Sequence, residues 1–344
     1  MATLRSDIII PEVFTPYVIE QTTQRDAFLA SGVVQPMAEL NATEGGDFVK
    51  VPFYKANLSG DFEVLSDSSS LTPGKITADQ QIGVILHRGR AFESRDLAAL
   101  AAGSDPMAAI GSKIADYVAH QRQKDLVSCL TGAFGSLNAN DSNSALFNLC
   151  IDSESGDSPT TLSPRTVAKA RALLGDQGDK LTAVAIHSNV YYDLVERNAI
   201  QYVSTEDARG TTTTQSGGDL SNAFGNPEVP TFMGLRVIVS DDVQTTGSGS
   251  STEYGSFFFT AGAVASGEQM GMQTEVDRDI LAKSDAMSLD LHYVYHPVGL
   301  KWGVSTTNPT RSQLETVGNW SKVYETKNIG IVRATNVSNQ DCGH

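Results

Sequence analysis

The stretch Asp105–Gly132, DPMAAIGSKIADYVAHQRQKDLVSCLTG, carries the strongest helical pattern in the chain. Its apolar residues recur close to the 3.6-residue period of an α-helix; they are Met107, Ile110, Ile114, Tyr117, Val118, Leu126 and Leu130. Asp105 is a favourable N-cap, Pro106 suits the first helical position, and Gly132 is predicted to end the helix. At 1.5 Å per residue the predicted helix 105–131 is roughly 40 Å long, so we expect it to form the backbone of a domain.

Upstream of this helix, the sequence predicts a long two-stranded hairpin over residues 45–91. Side chains of Phe48–Tyr54 alternate between two faces, and apolar residues return at Ile82–Leu86. Pro52 has no N–H group for a sheet ladder, which favours an edge strand or a ribbon. The segment between the strands is polar and long, and an isolated ribbon is only marginally stable in water. We therefore expect the hairpin to lie on another subunit.

The remaining pattern predicts an α+β fold. Residues 1–44 are predicted to form an N-terminal arm with short helical pieces, such as 15–30. We expect this arm, like the hairpin, to lie on a neighbouring subunit. Downstream, helices and strands alternate. Their predicted positions are a helix from Ser163-Pro164 to Leu174, a strand at Leu181–Ile186, a helix capped by Ser188, a polar stretch at Ser204–Gly225, and strands at Leu235–Val239, Phe257–Thr260 and Ala286–Tyr295.

The composition limits the classes of function. The chain has 344 residues, 19% of them charged, and a formal net charge of −15. Nonspecific nucleic-acid binding relies on Lys and Arg displacing counterions, so this acidic chain is unsuited to it. Its cysteines, Cys129, Cys150 and Cys342, are scattered and predict neither a zinc site nor a disulfide framework. We expect no signal peptide and no membrane span, because no apolar run is long enough.

A search for catalytic or ligand-binding motifs finds none that is specific. His187-Ser188 lies at a strand-to-helix turn but lacks the flanking glycines of a nucleophile elbow. His292 and His296 are predicted on the polar face of a strand, without the glutamate of an HExxH site. The glycine-rich turns and the Asp241-Asp242 pair lack phosphate-loop and carboxylate-dyad signatures. We therefore predict no enzyme activity, no cofactor and no metal.

The order of these elements resembles the major capsid proteins of tailed phages, which have the Hong Kong 97-like fold. That fold has an N-terminal arm, an extended two-stranded loop, a long spine helix, and peripheral and axial domains. Local similarities support the resemblance. They lie at Met233–Asp241, Phe259–Val264, Asn308-Pro309-Thr310, Gln313-Leu314 and Asn319–Tyr324.

The resemblance implies a domain organisation for this chain. The predicted segments are the arm 1–44, the extended loop 45–91, the peripheral domain 92–162 with spine helix 105–131, the axial domain 163–269, and a return to the peripheral domain with a C-terminal segment, 270–344. Inter-subunit contacts are expected at Asp61, Glu63, Asp67, Lys75, Arg88 and Arg90. Some relatives crosslink a lysine of the extended loop, and for Lys75 an ordinary solvated position is the preferred interpretation.

The resemblance also implies a function and a set of partners. Copies would form hexamers and pentamers that close an icosahedral head around double-stranded DNA, without sequence-specific DNA binding. Too few residues precede the hairpin for a scaffolding region, so a separate scaffolding protein is expected, with a portal and room for a decoration protein. The protein would belong to the virion capsid, assemble in the host bacterial cytoplasm and have no membrane partner.

Two alternatives remain open on the sequence. One is the shell protein of an encapsulin-type nanocompartment of the same fold, which would enclose an enzyme rather than DNA. The other is a small-molecule hydrolase that uses His187 or Ser188, which would exist as a discrete monomer or dimer.

Overall fold

The computed structural model describes residues 28, 31–41, 45–55, 62–63, 75–96, 106–137, 143–151, 161–203, 229–249 and 252–339. Several predictions concern positions outside these residues. They are nearly all of the helix expected over 15–30, the polar stretch Ser204–Gly225, and the expected contact residues Asp61 and Asp67.

The described part of the chain contains both helices and strands. Its α-helices are α1 (Pro106–Phe134), α2 (Pro164–Leu173), α3 (Ser188–Glu196) and α4 (Arg311–Leu314). The first strands are β1 (Val34–Pro36), β2 (Phe48–Tyr54), β3 (Ala78–Val84), β4 (Leu86–Arg95), β5 (Cys150–Ile151), β6 (Leu181–Ile186), β7 (Gln201–Val203) and β8 (Val229–Phe232). The later strands are β9 (Leu235–Val239), β10 (Thr245–Thr246), β11 (Glu253–Thr260), β12 (Val264–Asp279), β13 (Ser284–Pro297), β14 (Leu300–Trp302), β15 (Trp320–Lys322) and β16 (Ile331–Val337).

The long helix α1 confirms the strongest sequence prediction, but the predicted stop at Gly132 is wrong. The helix continues to Phe134, and Gly135 follows it with a φ of 82°. A side chain at Gly132 would collide with the carbonyl oxygen of Leu314 and the indole of Trp320. Gly132 therefore serves close packing inside the helix, and the left-handed C′ position belongs to Gly135.

One sheet contains most of the apolar core. Within the described residues its strand order is β5-β16-β11-β6-β9-β8-β7, with β10 paired to β11. Strand β6 has the predicted bounds and runs parallel to β9, with α3 on the connection between them. Phe257, Phe258 and Phe259 of β11 are all buried. The C-terminal strand β16 pairs with β11, so the end of segment 270–344 lies in the same sheet as segment 163–269.

A second sheet carries the long ribbon that packs under α1. Its order is β1-β12-β13-β4, and β12 and β13 form an antiparallel pair of 16 and 14 residues. Apolar side chains of α1, including Ile114 and Val118, pack on Met287 and Leu289 of β13. The predicted alternation over Ala286–Tyr295 is thus the alternation of a strand buried against a helix on one face.

The hairpin consists of β2 and β3, paired from Phe48 with Val84 to Tyr54 with Ala78. In this register Pro52 lies in a two-stranded ribbon, as predicted. The second strand begins earlier than the apolar residues suggested. The chain then leaves the ribbon at Ile85 and enters β4 in the other sheet.

The expectation that the arm and the hairpin depend on another subunit for burial is wrong for the described residues. In the arm, Val33, Val34 and Leu40 are buried, and β1 pairs with β12 of the same chain. In the hairpin, Val84 is buried and Phe48 packs on the core. Because these apolar groups are removed from water within one subunit, their burial contributes to the stability of the unassembled chain.

Candidate functional site

The paired ribbon of the hairpin is fixed to its own subunit by polar and aromatic contacts. The Gln81 side-chain amide donates to the Tyr324 hydroxyl at 2.8 Å and accepts from the N–H of Gly299 at 2.9 Å. Phe53 meets the ring of Tyr324 edge-to-face, with centroids 4.7 Å apart. The paired ribbon is therefore anchored to its own subunit before any neighbour is present.

Three large apolar side chains near the end of the hairpin are exposed. Tyr54 is 73% exposed, Ile76 56% and Phe62 106%. At the end of the paired region, Lys55 and Asp79 form an ion pair of 2.9 Å, and the hydrogen bond from Lys55 holds the pKa of Asp79 below its ordinary value. Large exposed apolar groups at the end of a rigid ribbon are typical of an interaction surface.

A cleft lies between α1 and the β4–β13 edge of the second sheet, at a buried carboxylate. Asp125 of α1 is 0% exposed. It accepts hydrogen bonds from Arg88 Nε at 3.1 Å, from the Tyr293 hydroxyl at 2.7 Å, and from Arg311 Nε. Burial and the charge of Asp125 raise the pKa of Tyr293 well above its ordinary value. Asp125 thus joins the long helix, the strand that follows the hairpin, and the C-terminal segment.

The segment around Asn308, noted in the sequence for its resemblance, positions two of these arginines. Asn308 adopts a left-handed φ of 45°, and its side-chain oxygen accepts from His87 N–H at 3.1 Å and from Arg88 Nη1 at 2.8 Å. Thr310 and Gln313 form a capping box that starts α4, which places Arg311 over Asp125. Charge pairing was not readable from the sequence, because Asp125 and Arg311 lie 186 positions apart.

The cleft has a strong positive bias. It is lined by Arg88, Arg90, Arg122 and Arg311 against the single carboxylate of Asp125. Arg122 has a partner outside the lining, Glu268, at 3.4 Å. Within the residues that the structure describes, Arg90 is exposed and has no ion-pair partner. In a chain with a net charge of −15, this concentration of guanidinium groups is a local exception.

The expected contact residues fall on two surfaces. Arg88 and Arg90 line the cleft, and Arg88 donates hydrogen bonds to Asp125, Asn308 and Pro309 of its own subunit. Glu63 and Lys75 are exposed on the segment between the hairpin strands. The sequence argument missed Asp125, Arg122 and Arg311.

The His187-Ser188 pair has a structural use that the sequence argument assigned to the wrong residue. His187, rather than Ser188, is the N-cap of α3, and its Nδ1 accepts from Asn189 N–H at 3.2 Å. The Ser188 hydroxyl lies 3.5 Å from the same nitrogen, and Nε2 lies 3.8 Å from Asp241. Since Nδ1 is occupied as a helix cap, this arrangement explains the pair without a nucleophile.

The prediction that His292 and His296 share a polar face is wrong for His296, which is buried. His292 instead meets the ring of His87, with centroids 4.3 Å apart. Burial lowers the pKa of His296 to about 4. No group of three or more metal-binding side chains occurs among the described residues.

The burial of His296 predicts a pH-dependent stability. A histidine in the unfolded chain titrates near 6.5, so between about pH 6.5 and pH 4 only the unfolded state takes up this proton. The contribution of His296 to the free energy of unfolding is complete above pH 6.5 and falls by up to about 1.4 kcal/mol per unit below it. Urea titrations of the unassembled subunit at pH 4 to 7 should give a shallower pH slope for His296→Leu. Equal slopes for His296→Leu and the wild type would contradict the argument.

A third exposed feature is the end of the β12–β13 ribbon. Ile280 and Leu281 are largely exposed there, and the Asp279 carboxylate accepts from Leu281 N–H at 2.8 Å and Ala282 N–H at 3.0 Å. The turn is therefore preformed, with its apolar side chains outward.

In the described part of the chain, no helix is both long and apolar enough to span a bilayer.

Similarity to known proteins covers almost the whole chain. A family described as Gp13-like, major capsid protein 13-like, matches residues 11–330. The chain is 36% identical over 338 residues to the major capsid protein of Bacillus phage SPP1, covering 95% of this chain and 96% of that protein.

Solved structures show the same fold at low identity. A chain of the Cyanophage Pam1 capsid asymmetric unit aligns with a TM-score of 0.56 and 13% identity, covering 92% of this chain and 93% of that one. A chain of the capsid of Ralstonia phage GP4 aligns with a TM-score of 0.55 and 8% identity, covering 90% and 88%. The α+β capsid fold predicted from the sequence is confirmed.

Proposed function

Because this chain belongs to the Gp13-like family of major capsid proteins, we propose that its copies join as hexamers and pentamers through the hairpin and the arginine cleft. The protein is the structural subunit of a tailed-phage capsid and not an enzyme. The family supplies no support for the hydrolase or for the encapsulin-type alternative.

The observation that carries the proposal is the division of the hairpin into an anchored paired ribbon and an exposed end. Gln81 and Phe53 hold the ribbon on their own subunit, whereas the large side chains of Tyr54, Phe62 and Ile76 are exposed. A contact that passes from one surface to a different surface of the next copy is heterologous, and it closes a ring when the rotation allows. Hairpin-to-cleft contacts of this kind would build hexamers and pentamers.

The acidic hairpin segment and the basic cleft are complementary in charge. Asp61, Glu63 and Asp67 lie between the hairpin strands, together with Lys75, while Arg88 and Arg90 line the cleft. We assign the inter-subunit contacts to these residues. Complementary charges would fix the register of the contact more than its strength.

We assign the segments of this chain the names used for the Hong Kong 97-like fold. They are the arm 1–44, the extended loop 45–91, the peripheral domain 92–162, the axial domain 163–269, and the returning segment 270–344, with the adjustment that β16 pairs with β11 of the axial domain.

The net charge of −15 fits a container for DNA better than a DNA-binding protein. A wall that attracted phosphate would hold the packaged strand, whereas an acidic wall leaves it free to move. We propose that a separate scaffolding protein and a portal take part in assembly in the host cytoplasm, with room for a decoration protein. Packaged double-stranded DNA would be enclosed without sequence-specific contacts.

The proposal predicts the size and contents of the particles. The full-length chain, expressed with its scaffolding protein, should elute in the void volume of a size-exclusion column and appear in negative-stain micrographs as closed shells tens of nanometres across. Shells free of an enclosed enzyme are expected. A chain that remains a monomer or dimer under these conditions would refute the proposal, and shells that contain a stoichiometric enzyme would favour the encapsulin-type alternative.

A further inference from the structure

We infer that Phe62 of one copy inserts into the arginine cleft of the neighbouring copy, as an aromatic anchor flanked by two carboxylates. This inference rests on the proposed function and deepens it, because it names the residue that fills the cleft. The general hairpin contact could hold without it.

The cleft has the size and the floor that an aromatic ring needs. Its volume is about 120 Å³, of the same order as the cavity of about 150 Å³ that holds a benzene molecule. Besides the arginines, its lining includes Tyr117 and Val118 of α1 and Leu289 and Leu291 of β13. A ring placed on this floor would remove apolar surface from water, both on the ring and on the floor of the cleft.

The charges at the rim of the cleft determine which side chains can lie beside the inserted aromatic ring. Asp125 is already saturated by Arg88, Arg311 and Tyr293, so it offers little to a cationic ligand. Arg90 is exposed on the rim without an ion-pair partner among the described residues. An occupant that carries negative charge next to an apolar group therefore fits this site, and a basic or purely apolar occupant does not.

The sequence Asp61-Phe62-Glu63 has this chemistry. Phe62 is 106% exposed, which makes it the most exposed large apolar side chain of the described residues. Aromatic residues that enter a pocket, with polar groups around the rim, commonly dominate the affinity of an interface. Phe62 thus supplies the anchor and its two neighbours supply the charge.

The cleft of the same copy is an unsuitable destination for this anchor. Hydrogen bonding along the ribbon continues past Val84 through the Ile85 N–H to the Asp47 carbonyl, and β4 leads on from there. The cleft therefore lies beyond the base of the ribbon, whereas Phe62 lies beyond its opposite end. The ribbon that separates them is about 20 Å long at 3.4 Å per residue. We therefore infer that the Phe62 that enters a cleft belongs to a second copy.

Substitution at the anchor should weaken assembly without affecting the fold. Phe62→Ala should raise the subunit concentration needed for shell formation at least about tenfold, in the assembly mixture that yields wild-type shells, as followed by light scattering. The matched control is Tyr192→Ala, which truncates an exposed aromatic side chain on α3, away from the hairpin and the cleft, and should change this concentration by less than about threefold. Circular dichroism should show both unassembled variants folded. Equal assembly of Phe62→Ala and wild type would overturn the inference.

Charge reversal and crosslinking identify the partner surface. Arg90→Glu should reduce assembly, and adding Asp61→Lys with Glu63→Lys should restore it, which a merely structural effect at Arg90 would not do. In a Cys150→Ser, Cys342→Ser background, subunits with both Phe62→Cys and Arg90→Cys, co-assembled with an equal amount of the background subunit so that shells form, should give covalent multimers on treatment with a bismaleimide, and neither single cysteine should. A crosslink only within one chain, or shells with no crosslink and no rescue, would refute the Phe62 assignment; failure of the wild-type chain to form shells would instead refute the proposed function.

Discussion

Replacing residues 56–76 with Asn-Gly is expected to give a folded subunit that forms no closed shells. The ribbon register places Lys55 opposite Thr77, and the Lys55 N–H donates to the Thr77 carbonyl at 2.8 Å. A two-residue Asn-Gly turn therefore fits this register as a type I′ hairpin. The replacement removes Phe62 and Ile76 and keeps the base contacts of Gln81, so the subunit retains its core but loses the exposed end.

Shell yield in negative-stain images should fall at least about a hundredfold, while the melting temperature of the unassembled subunit changes by only a few degrees. Lys327→Ala provides the control, because it breaks only the exposed ion pair with Asp176 and should assemble normally. Because the shortened subunit keeps its cleft, it should still enter shells when mixed with an excess of wild type. Shells of normal yield and heat resistance from the shortened subunit alone would show that the hairpin does not join subunits.

Ile114→Asp is expected to prevent folding rather than assembly. Ile114 is 1% exposed and packs with Val118, Met287 and Leu289 between α1 and the second sheet. A carboxylate there would be buried without a partner, in addition to the loss of the apolar contacts, and we expect the free energy of unfolding to fall by about 4 kcal/mol or more. For a chain of marginal stability this loss amounts to a large fraction of the total.

Urea denaturation of the unassembled subunit measures this effect. Lys113→Asp introduces the same side chain one position away on the exposed face of α1, and it should change the free energy of unfolding by no more than about 0.5 kcal/mol. A stable Ile114→Asp subunit would mean that α1 does not pack on the second sheet as described.

Elements with a strong local pattern were predictable from the sequence. The apolar period identified α1, a run of apolar residues gave β6 its bounds, and strand alternation identified β2 and much of β13. The fold family followed from the order of these elements, since no single motif specified it.

Features that depend on distant residues were not predictable. Gly132 looked like a helix stop because only the structure brings Leu314 and Trp320 against it. Most of β12 was missed because most of its distal residues are polar and exposed, and only their pairing with β13 makes this part a strand. The cleft depends on Arg88 and Arg311 meeting at Asp125, which no local pattern encodes.

The passage of the chain from β3 directly into β4 has a mechanical consequence. A pull on the hairpin tip travels along the backbone into β4, whose ten residues are paired with β13. The force then acts along the strands, so the ladder bonds share the load and cannot be opened one at a time. A load carried from the hairpin into β4 would accordingly meet this subunit in its strongest direction.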